Sequence, residues 1–205
     1  MADWISAQPN REGGMQWSIL TSCMYLETLS QLLAPFKEVV NGEEVMVFKA
    51  PVGNGRPPMI CLEDLGGYAK WIFDHPDEAS GMNLRVATAL VSWNELAETY
   101  AAVTGKKAVF KDVSLDEYFN LGLLDGEMKV GHSAGEDETL QTYRENFSGF
   151  WNTWKEDVLS DGRDFEMLDR FLPGRVRGLR EWMVAARYDG LRSNVLKDYV
   201  DRSNK

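Results

Sequence analysis

The residues of this chain best suited to chemistry stand together in one short run: Thr21, Ser22, Cys23, Met24 and Tyr25. They offer hydroxyl groups, a thiol and a phenol. The β-branched and aliphatic residues at 17–20 predict a buried strand, and the apolar spacing from 25 to 33 predicts a helix. Ligands in open α/β sheets bind outside the carboxyl ends of strands, where loops cross to helices. We therefore predict that this run forms the wall of a ligand site, with an ordinary strand-to-helix connection as the alternative.

Acid–base chemistry has two candidate residues, Tyr25 and His132. A histidine in a Gly-rich loop can exchange protons near neutral pH, and an exposed bystander is the alternative for His132. Tyr25 has no lysine four residues on, so the Tyr-Lys pair of hydride transfer is not formed there. His75 precedes a proline, which is typical of a helix end. The catalytic residue is therefore left unassigned.

The cysteines, Cys23 and Cys61, predict neither a disulfide framework nor a metal site. The chain has only two histidines and no close cluster of Cys and His, so no zinc site is expected. Cys23 has no evident histidine partner and is interpreted as a small buried hydrophobe rather than a nucleophile. The low cysteine content and the lack of a charged-then-apolar leader favour a cytoplasmic location, with the nucleus as an alternative.

The length, charge and motif content of the chain limit the kinds of molecule that it is expected to bind. The chain has 205 residues, 44% of them hydrophobic, which suffices for one good core or for one domain with an appendage. Its net charge of -10 argues against nucleic acid or an anionic membrane as a partner. No apolar run approaches membrane-spanning length. The sequence has no Gly-x-Gly-x-x-Gly motif, Walker loop or Gly-x-Ser-x-Gly elbow, so no phosphate-binding loop can be assigned.

Predicted strands and helices alternate along the chain, which is typical of an α/β fold. Asn41 and Gly42 predict a tight hairpin turn, followed by a strand at 45–48. Asp64 is the expected N-cap of the next helix. Two Ser-x-x-Glu capping boxes, which start at Ser92 and Ser114, open later helices.

An aromatic stripe marks the helix predicted at 139–154. Its members recur every three or four residues: Tyr143, Phe147, Phe150, Trp151 and Trp154. Such a stripe is usually core, or a lid packed on core. The alternative is a wall over an apolar ligand.

Several of these segments, in their order, resemble the motifs of one known family. Residues 18–27 resemble its TILR strand and the following YMEM or YFEN turn, and residues 51–53 resemble its P-x-G loop. Three further motifs, V-x-D-[IL]-G, ELA…TG and the closing RD[YI]…L-x-x-W, are matched at 60–66, 93–106 and 163–182. The family is the NmrA-like branch of the atypical short-chain dehydrogenases, which includes fungal NmrA-like oxidoreductases and the human NADPH sensor HSCARG.

The resemblance implies a Rossmann-type cofactor domain followed by a smaller α/β substrate domain. Residues 1–36 are assigned to the end of the Rossmann-type domain, and residues 37–205 to the C-terminal substrate domain with its aromatic helical extension. The dinucleotide-binding half is expected to be lacking, because the family's Gly-rich loop and active-site lysine precede the opening strand. A truncated gene model, a natural short paralogue and a partner completed by another chain are the three alternatives.

The resemblance also implies a function: an NAD(P)-dependent oxidoreductase that acts on or senses a small apolar metabolite in fungal secondary metabolism. The residues at 21–25 would line the nicotinamide and substrate side. The pocket mouth and the cover over the substrate would be formed by Pro51, Val52, Gly53, Asp64, Phe147 and Trp151. Thr21 stands where the family has an arginine, and Cys23 or Met24 where it has a proline.

Two other classes of function stay open. The first is a non-redox regulator, isomerase or cyclase that keeps only the substrate pocket. The second is an interaction module, because a sheet without its first strands would expose an apolar face and an unpaired edge. A homodimer or a partner chain would cover that edge.

Overall fold

The computed structural model describes residues 2–9, 15–131, 139–156 and 162–193. The strands in these ranges are β1 Ile19–Thr21, β2 Met24–Tyr25, β3 Phe36–Val40, β4 Glu43–Ala50, β5 Pro58–Ile60, β6 Asn83–Arg85, β7 Ala89–Leu90 and β8 Ala108–Asp112. The helices are α1 Ala2–Ser6, α2 Leu62–Asp74, α3 Pro76–Ala79, α4 Trp93–Thr104, α5 Leu115–Phe119, α6 Tyr143–Lys155, α7 Phe165–Phe171 and α8 Leu179–Ala185. A 3-10 turn, Leu26–Ser30, comes directly after β2.

The strands form small sheets with both parallel and antiparallel pairs. β1 pairs with β6 in parallel, and β5 lies between β2, which is parallel to it, and β7, which is antiparallel. β4 lies between antiparallel β3 and parallel β8. The predicted hairpin is confirmed: Asn41 and Gly42 have φ values of 53° and 81°, as a tight turn between β3 and β4 requires. The α/β class predicted from the sequence is likewise confirmed.

The prediction of an α-helix that starts at Tyr25 is wrong. Tyr25 lies in β2 and pairs with Ile60, and only the 3-10 turn Leu26–Ser30 comes after it. This single turn already buries Leu26 and Leu29, two of the residues whose spacing predicted a helix. Pro35 then disfavours helical geometry in the residue before it, and the chain enters β3.

The predicted helix caps are formed with two corrections. Ser114 and Glu117 form a reciprocal capping box at α5, whereas at α4 the Ser92 hydroxyl accepts from the Glu95 amide without the reciprocal bond. Asp64 is not an N-cap, because Cys61 holds that position and Asp64 lies in the first turn of α2. A second reciprocal capping box, formed by Thr142 and Glu145 at α6, was not predicted.

The core is mainly aromatic and aliphatic, and it joins helices from both halves of the chain. Trp93 of α4 lies edge-on to Trp151 of α6, with ring centroids 5.9 Å apart, and Tyr118 lies 5.2 Å from Trp151. Trp93, Tyr118 and Trp151 are almost completely buried. Helix α6 is therefore held by its aromatic side chains, as the core interpretation of the stripe predicted.

A close backbone approach at Gly55 joins the loop after β4 to the end of α6. A Cβ atom at this position would lie 2.1 Å from the carbonyl oxygen of Trp154. We expect Gly55→Ala to lower the free energy of unfolding by about 2 kcal/mol, because backbone must move to relieve the contact.

Urea denaturation measures this loss, and Gly149→Ala is the matched control. Gly149 lies inside α6 with no atom near its notional Cβ, so alanine there should stabilise the protein by about 0.5–1 kcal/mol. Equal effects of the two substitutions would contradict the close approach.

Candidate functional site

An apolar cavity of about 320 Å³ lies beside β2 and α6. Five residues predicted from the sequence line it: Cys23, Met24, Tyr25, Phe147 and Trp151. The fold thus brings together the run after the first strand and the aromatic stripe, which lie far apart in the chain. We call this space the aromatic cavity.

The rest of the wall comes from the 3-10 turn, the segment after it, and two helices. Thr28 lies in the 3-10 turn, Leu32 and Leu33 follow that turn, Phe150 lies in α6 and Tyr118 in α5. Phe150 could have been found from the sequence because it belongs to the aromatic stripe. Tyr118 could not, since nothing near it in the sequence marks it as a lining residue.

Helix α6 presents its aromatic side chains to the cavity because of its spacing and its cap. Phe150 and Trp151 lie three and four residues after Phe147, so both lie on the same helical face as Phe147. Phe150 packs edge-on to Trp151 at 5.2 Å. The Thr142 hydroxyl and the Glu145 carboxylate each bind the other residue's amide, which fixes where the helix begins. The hydrogen bonds from Thr142 lower the pKa of Glu145.

The wall of the aromatic cavity carries no charged side chain among the residues described. Burial raises the pKa of the Cys23 thiol to about 12, although the nearby Arg163 opposes this. Burial also raises the pKa of Tyr118 to about 12, and the neighbouring Trp151 side chain opposes this. At neutral pH the cavity therefore offers uncharged groups, which suits an uncharged apolar molecule or the apolar part of a larger one.

Two polar atoms on lining residues are buried without a well-formed hydrogen bond in the described part of the chain. These are the Tyr118 hydroxyl and the Trp151 indole nitrogen. Their side chains are 1% and 0% exposed, so both atoms lie behind the inner surface of the wall.

Tyr25 lines the aromatic cavity, but no acid–base partner for its hydroxyl is seen within the described ranges. The other acid–base candidate, His132, lies outside the described residues. The structure therefore assigns no proton donor or acceptor for a reaction. His75 is the C-cap of α2, as the proline after it predicted.

The other predicted site residues do not line the aromatic cavity. The Thr21 hydroxyl donates to the Asn83 side chain at 2.8 Å across the β1–β6 pair, and Ser22 is exposed. Val52 is fully buried in the core, and the Gly53 amide donates to Asp112 at 2.9 Å. Pro51 is buried beside them. The loop at 51–53 approaches the end of α6, so it supports the helix rather than forming a wall.

Asp64, also predicted at the pocket mouth, belongs to a buried polar network. Its carboxylate accepts from the Val176 amide at 3.0 Å, and the Asp64 residue is 6% exposed. Burial raises its pKa, opposed by hydrogen bonds from Cys61 and Val176 and by the charge of Arg175. Arg175 is itself buried and donates to the Thr88 carbonyl at 3.1 Å and to Asp169 at 2.8 Å. The network ties α2 to the segment between α7 and α8.

No metal-binding group of His, Cys, Asp and Glu side chains is found among the residues described. None of the helices in the same ranges is long and apolar enough to span a membrane.

The helix starts do not fit the pyrophosphate of a dinucleotide. Such sites need a helix N-terminus with free amides and favourable charge. Every described α-helix instead has an acidic residue in its first turn: Asp3, Glu63, Asp77, Glu95, Asp116, Glu145, Glu166 and Glu181. These carboxylates would repel phosphate, so the starts of the described α-helices do not suit the phosphates of NAD(P).

A larger cavity, of about 370 Å³, lies beyond α8. Its wall mixes aromatic residues with charged ones of both signs, including Glu27, Arg187 and Asp189. None of the site residues predicted from the sequence lines this larger cavity. We therefore take the smaller aromatic cavity as the candidate site.

Comparisons with known proteins place these observations in a family context. Residues 10–167 match the model described as the NmrA-like family. No curated protein sequence matches the chain.

Three solved structures share the fold. A nucleoside-diphosphate-sugar epimerase from Staphylococcus aureus gives a TM-score of 0.59 at 16% identity, over 83% of this chain and 52% of that one. The negative transcriptional regulator NmrA in complex with NAD gives a TM-score of 0.56 at 14% identity, over 91% of this chain and 57% of that one. Triphenylmethane reductase from Citrobacter sp., in complex with NADP(H), gives a TM-score of 0.57 at 15% identity, over 84% of this chain and 53% of that one. The chain thus spans about half the length of these structures, and identities this low show the fold alone.

Proposed function

This chain belongs to the NmrA-like family, and from that premise we propose that it binds a small apolar metabolite in the aromatic cavity, as an NAD(P)-dependent oxidoreductase or as a sensor of that metabolite. The observation that carries the proposal is the uncharged wall around Met24, Tyr25, Phe147 and Trp151. A wall of this kind binds by shape and by apolar contact, with few polar groups to fix orientation. The substrate class we propose is a fungal secondary metabolite.

The cofactor part of the proposal is limited to what related folds support. NmrA in complex with NAD and triphenylmethane reductase in complex with NADP(H) have similar folds. The acidic helix starts of this chain do not fit the dinucleotide phosphates. We therefore assign the described residues to the metabolite side of the site and derive no hydride transfer from them.

A second candidate function is a non-redox ligand-binding regulator, or an isomerase or cyclase, that uses the aromatic cavity alone. The acidic first turns of the helices favour it, because they disfavour dinucleotide binding. Calorimetric titration with NADPH and NADH separates the two candidates. Micromolar dinucleotide binding by the monomer would exclude the non-redox candidate, and no binding would exclude the oxidoreductase.

Two further predictions from the sequence accompany the proposal. We propose that a domain boundary lies between residues 36 and 37. We also propose that a second copy of the chain or a partner chain covers a sheet edge, and the mass of the protein in solution tests whether two copies associate.

Ligand binding to the aromatic cavity can be tested with N-phenyl-1-naphthylamine, an uncharged aromatic probe whose fluorescence rises in apolar surroundings. Met24→Trp places an indole in the cavity, so we expect probe affinity to fall at least about tenfold, the equivalent of about 1.4 kcal/mol. The fluorescence titration gives the dissociation constant directly.

The matched control for this test is Met15→Trp. Met15 is 87% exposed and does not line the cavity, so the same substitution there should leave probe affinity unchanged. Thermal unfolding of both variants shows whether they are folded. Equal probe affinities in the two folded variants would refute binding in the aromatic cavity.

A further inference from the structure

A third cavity, of about 270 Å³, adjoins the aromatic cavity at Leu32. Leu32 lines both spaces. The third cavity differs in chemistry because polar residues, Gln31, Arg192 and Ser193, form much of its wall. We call it the polar annex.

The polar annex contains an arginine without a carboxylate partner in the described part of the chain. The one described contact of the Arg192 guanidinium is with the face of Phe36, 4.8 Å from the ring centre. Lys49 lies 5.1 Å from the same ring but is paired with Glu38 at 2.5 Å. Arg192 thus keeps its hydrogen-bond donors available, in a protein whose net charge is -10.

The position of this arginine is fixed by the backbone beside it. The Ser193 amide donates to the Ser30 carbonyl at 2.7 Å, which holds the segment against the 3-10 turn. That turn also supplies Thr28 to the wall of the aromatic cavity. The arginine and the apolar wall are therefore anchored to the same short element.

We propose that the ligand of the aromatic cavity is an amphipathic organic anion, whose ring system fills that cavity and whose carboxylate extends past Leu32 to Arg192. This inference rests on the proposed function and adds the charge of the ligand to it. A guanidinium binds a carboxylate through two parallel N–H···O bonds, which fixes direction as well as adding affinity. An apolar body with a single anionic end fits an uncharged cavity that shares Leu32 with a neighbouring cavity lined by an arginine.

A matched pair of probes tests the proposal on the intact protein. N-phenyl-1-naphthylamine and 1-anilinonaphthalene-8-sulfonate share one ring system, and only the second carries an anion, here a sulfonate in place of the carboxylate. We expect the anionic probe to bind about fivefold more tightly, a modest factor because Arg192 is exposed to solvent. Arg192→Gln should remove this factor and leave affinity for the neutral probe unchanged.

Arg180→Gln is the matched control, since it removes the same charge from an exposed arginine that lines neither cavity. It should leave both affinities unchanged, whereas Met24→Trp should weaken both probes. An equal loss in the Arg180→Gln and Arg192→Gln variants would overturn the proposal, because it would show only general attraction to positive charge. If the neutral probe binds and the anionic one gains nothing, this inference alone fails. If the neutral probe does not bind, the proposed function fails.

Discussion

Replacing Trp151 with alanine should lower the free energy of unfolding by about 4 kcal/mol, the middle of the range for replacing a large buried aromatic side chain with alanine. Trp151 is fully buried and its ring lies edge-on to Trp93 at 5.9 Å and to Phe150 at 5.2 Å. The substitution therefore leaves a cavity where α4, α5 and α6 meet. Urea denaturation, with a slope that shows whether unfolding remains two-state, measures the loss.

Trp4→Ala is the matched control for this substitution. Trp4 lies in α1 and is 68% exposed, so its removal should change stability by less than about 0.5 kcal/mol. The Trp151→Ala variant should also lose affinity for N-phenyl-1-naphthylamine, because the Trp151 ring is part of the wall of the aromatic cavity. A stability loss similar to that of Trp4→Ala would show that α6 does not depend on its aromatic face.

The parts of the fold that depend on short sequence signals were predicted well. Asn41 and Gly42 form their turn because both adopt positive φ, and Ser114 with Glu117 forms its capping box within four residues. Each of these signals is local, so neighbouring residues decide the outcome. The pairing of the run at 23–25 with the aromatic stripe was expected from the family resemblance, and the described structure places both on one cavity.

The parts that failed depend on residues distant in the chain. The spacing after Tyr25 is helical, yet Tyr25 pairs with Ile60 in a parallel sheet, and Pro35 prevents a longer helix before β3. Asp64 looked like a helix cap because acidic residues favour that position. Its actual neighbour, the Val176 amide, is supplied by a segment that no local pattern connects with it.

Arg175 had no signal in the sequence because a charged residue after Pro173 and Gly174 is usually exposed. Its burial depends on a nonlocal set of acceptors, the Thr88 carbonyl and the Asp169 carboxylate. A sequence pattern cannot show that two acceptors so far apart will face one guanidinium. The network could be found only from the fold.

Arg175→Met should lower the free energy of unfolding by about 3 kcal/mol. Methionine keeps much of the apolar volume, so the loss measures the polar contacts: the Thr88 and Val176 carbonyls lose a charged donor in a site where Arg175 is 5% exposed. A buried acceptor without a partner costs about 1–3 kcal/mol, and breaking a buried charged pair about 3–5 kcal/mol. The Asp169 side chain is 40% exposed and can be rehydrated when Arg175 is removed. The expected loss therefore lies where the two ranges meet, at the bottom of the range for a buried charged pair.

Arg177→Met is the matched control because Arg177 bonds the same Asp169 oxygen, at 3.3 Å, from a side chain that is 60% exposed. A surface pair of this kind is worth less than about 1 kcal/mol, so the two variants should differ clearly in urea. Equal losses would contradict the buried network.

The two arginines also determine how stability depends on pH. Burial opposes ionisation of Asp169, but the hydrogen bonds and charges of Arg175 and Arg177 outweigh it and lower the pKa of Asp169 below 3.8. A depressed pKa contributes stability above the ordinary value, and that contribution is lost as the pH falls through the value in the folded protein. The wild-type protein should therefore lose stability on acidification below about pH 4 more steeply than Arg175→Met, in which Asp169 has lost its nearer cation. Parallel pH profiles of the two proteins would mean that Arg175 stabilises the fold through Thr88 and Val176 alone.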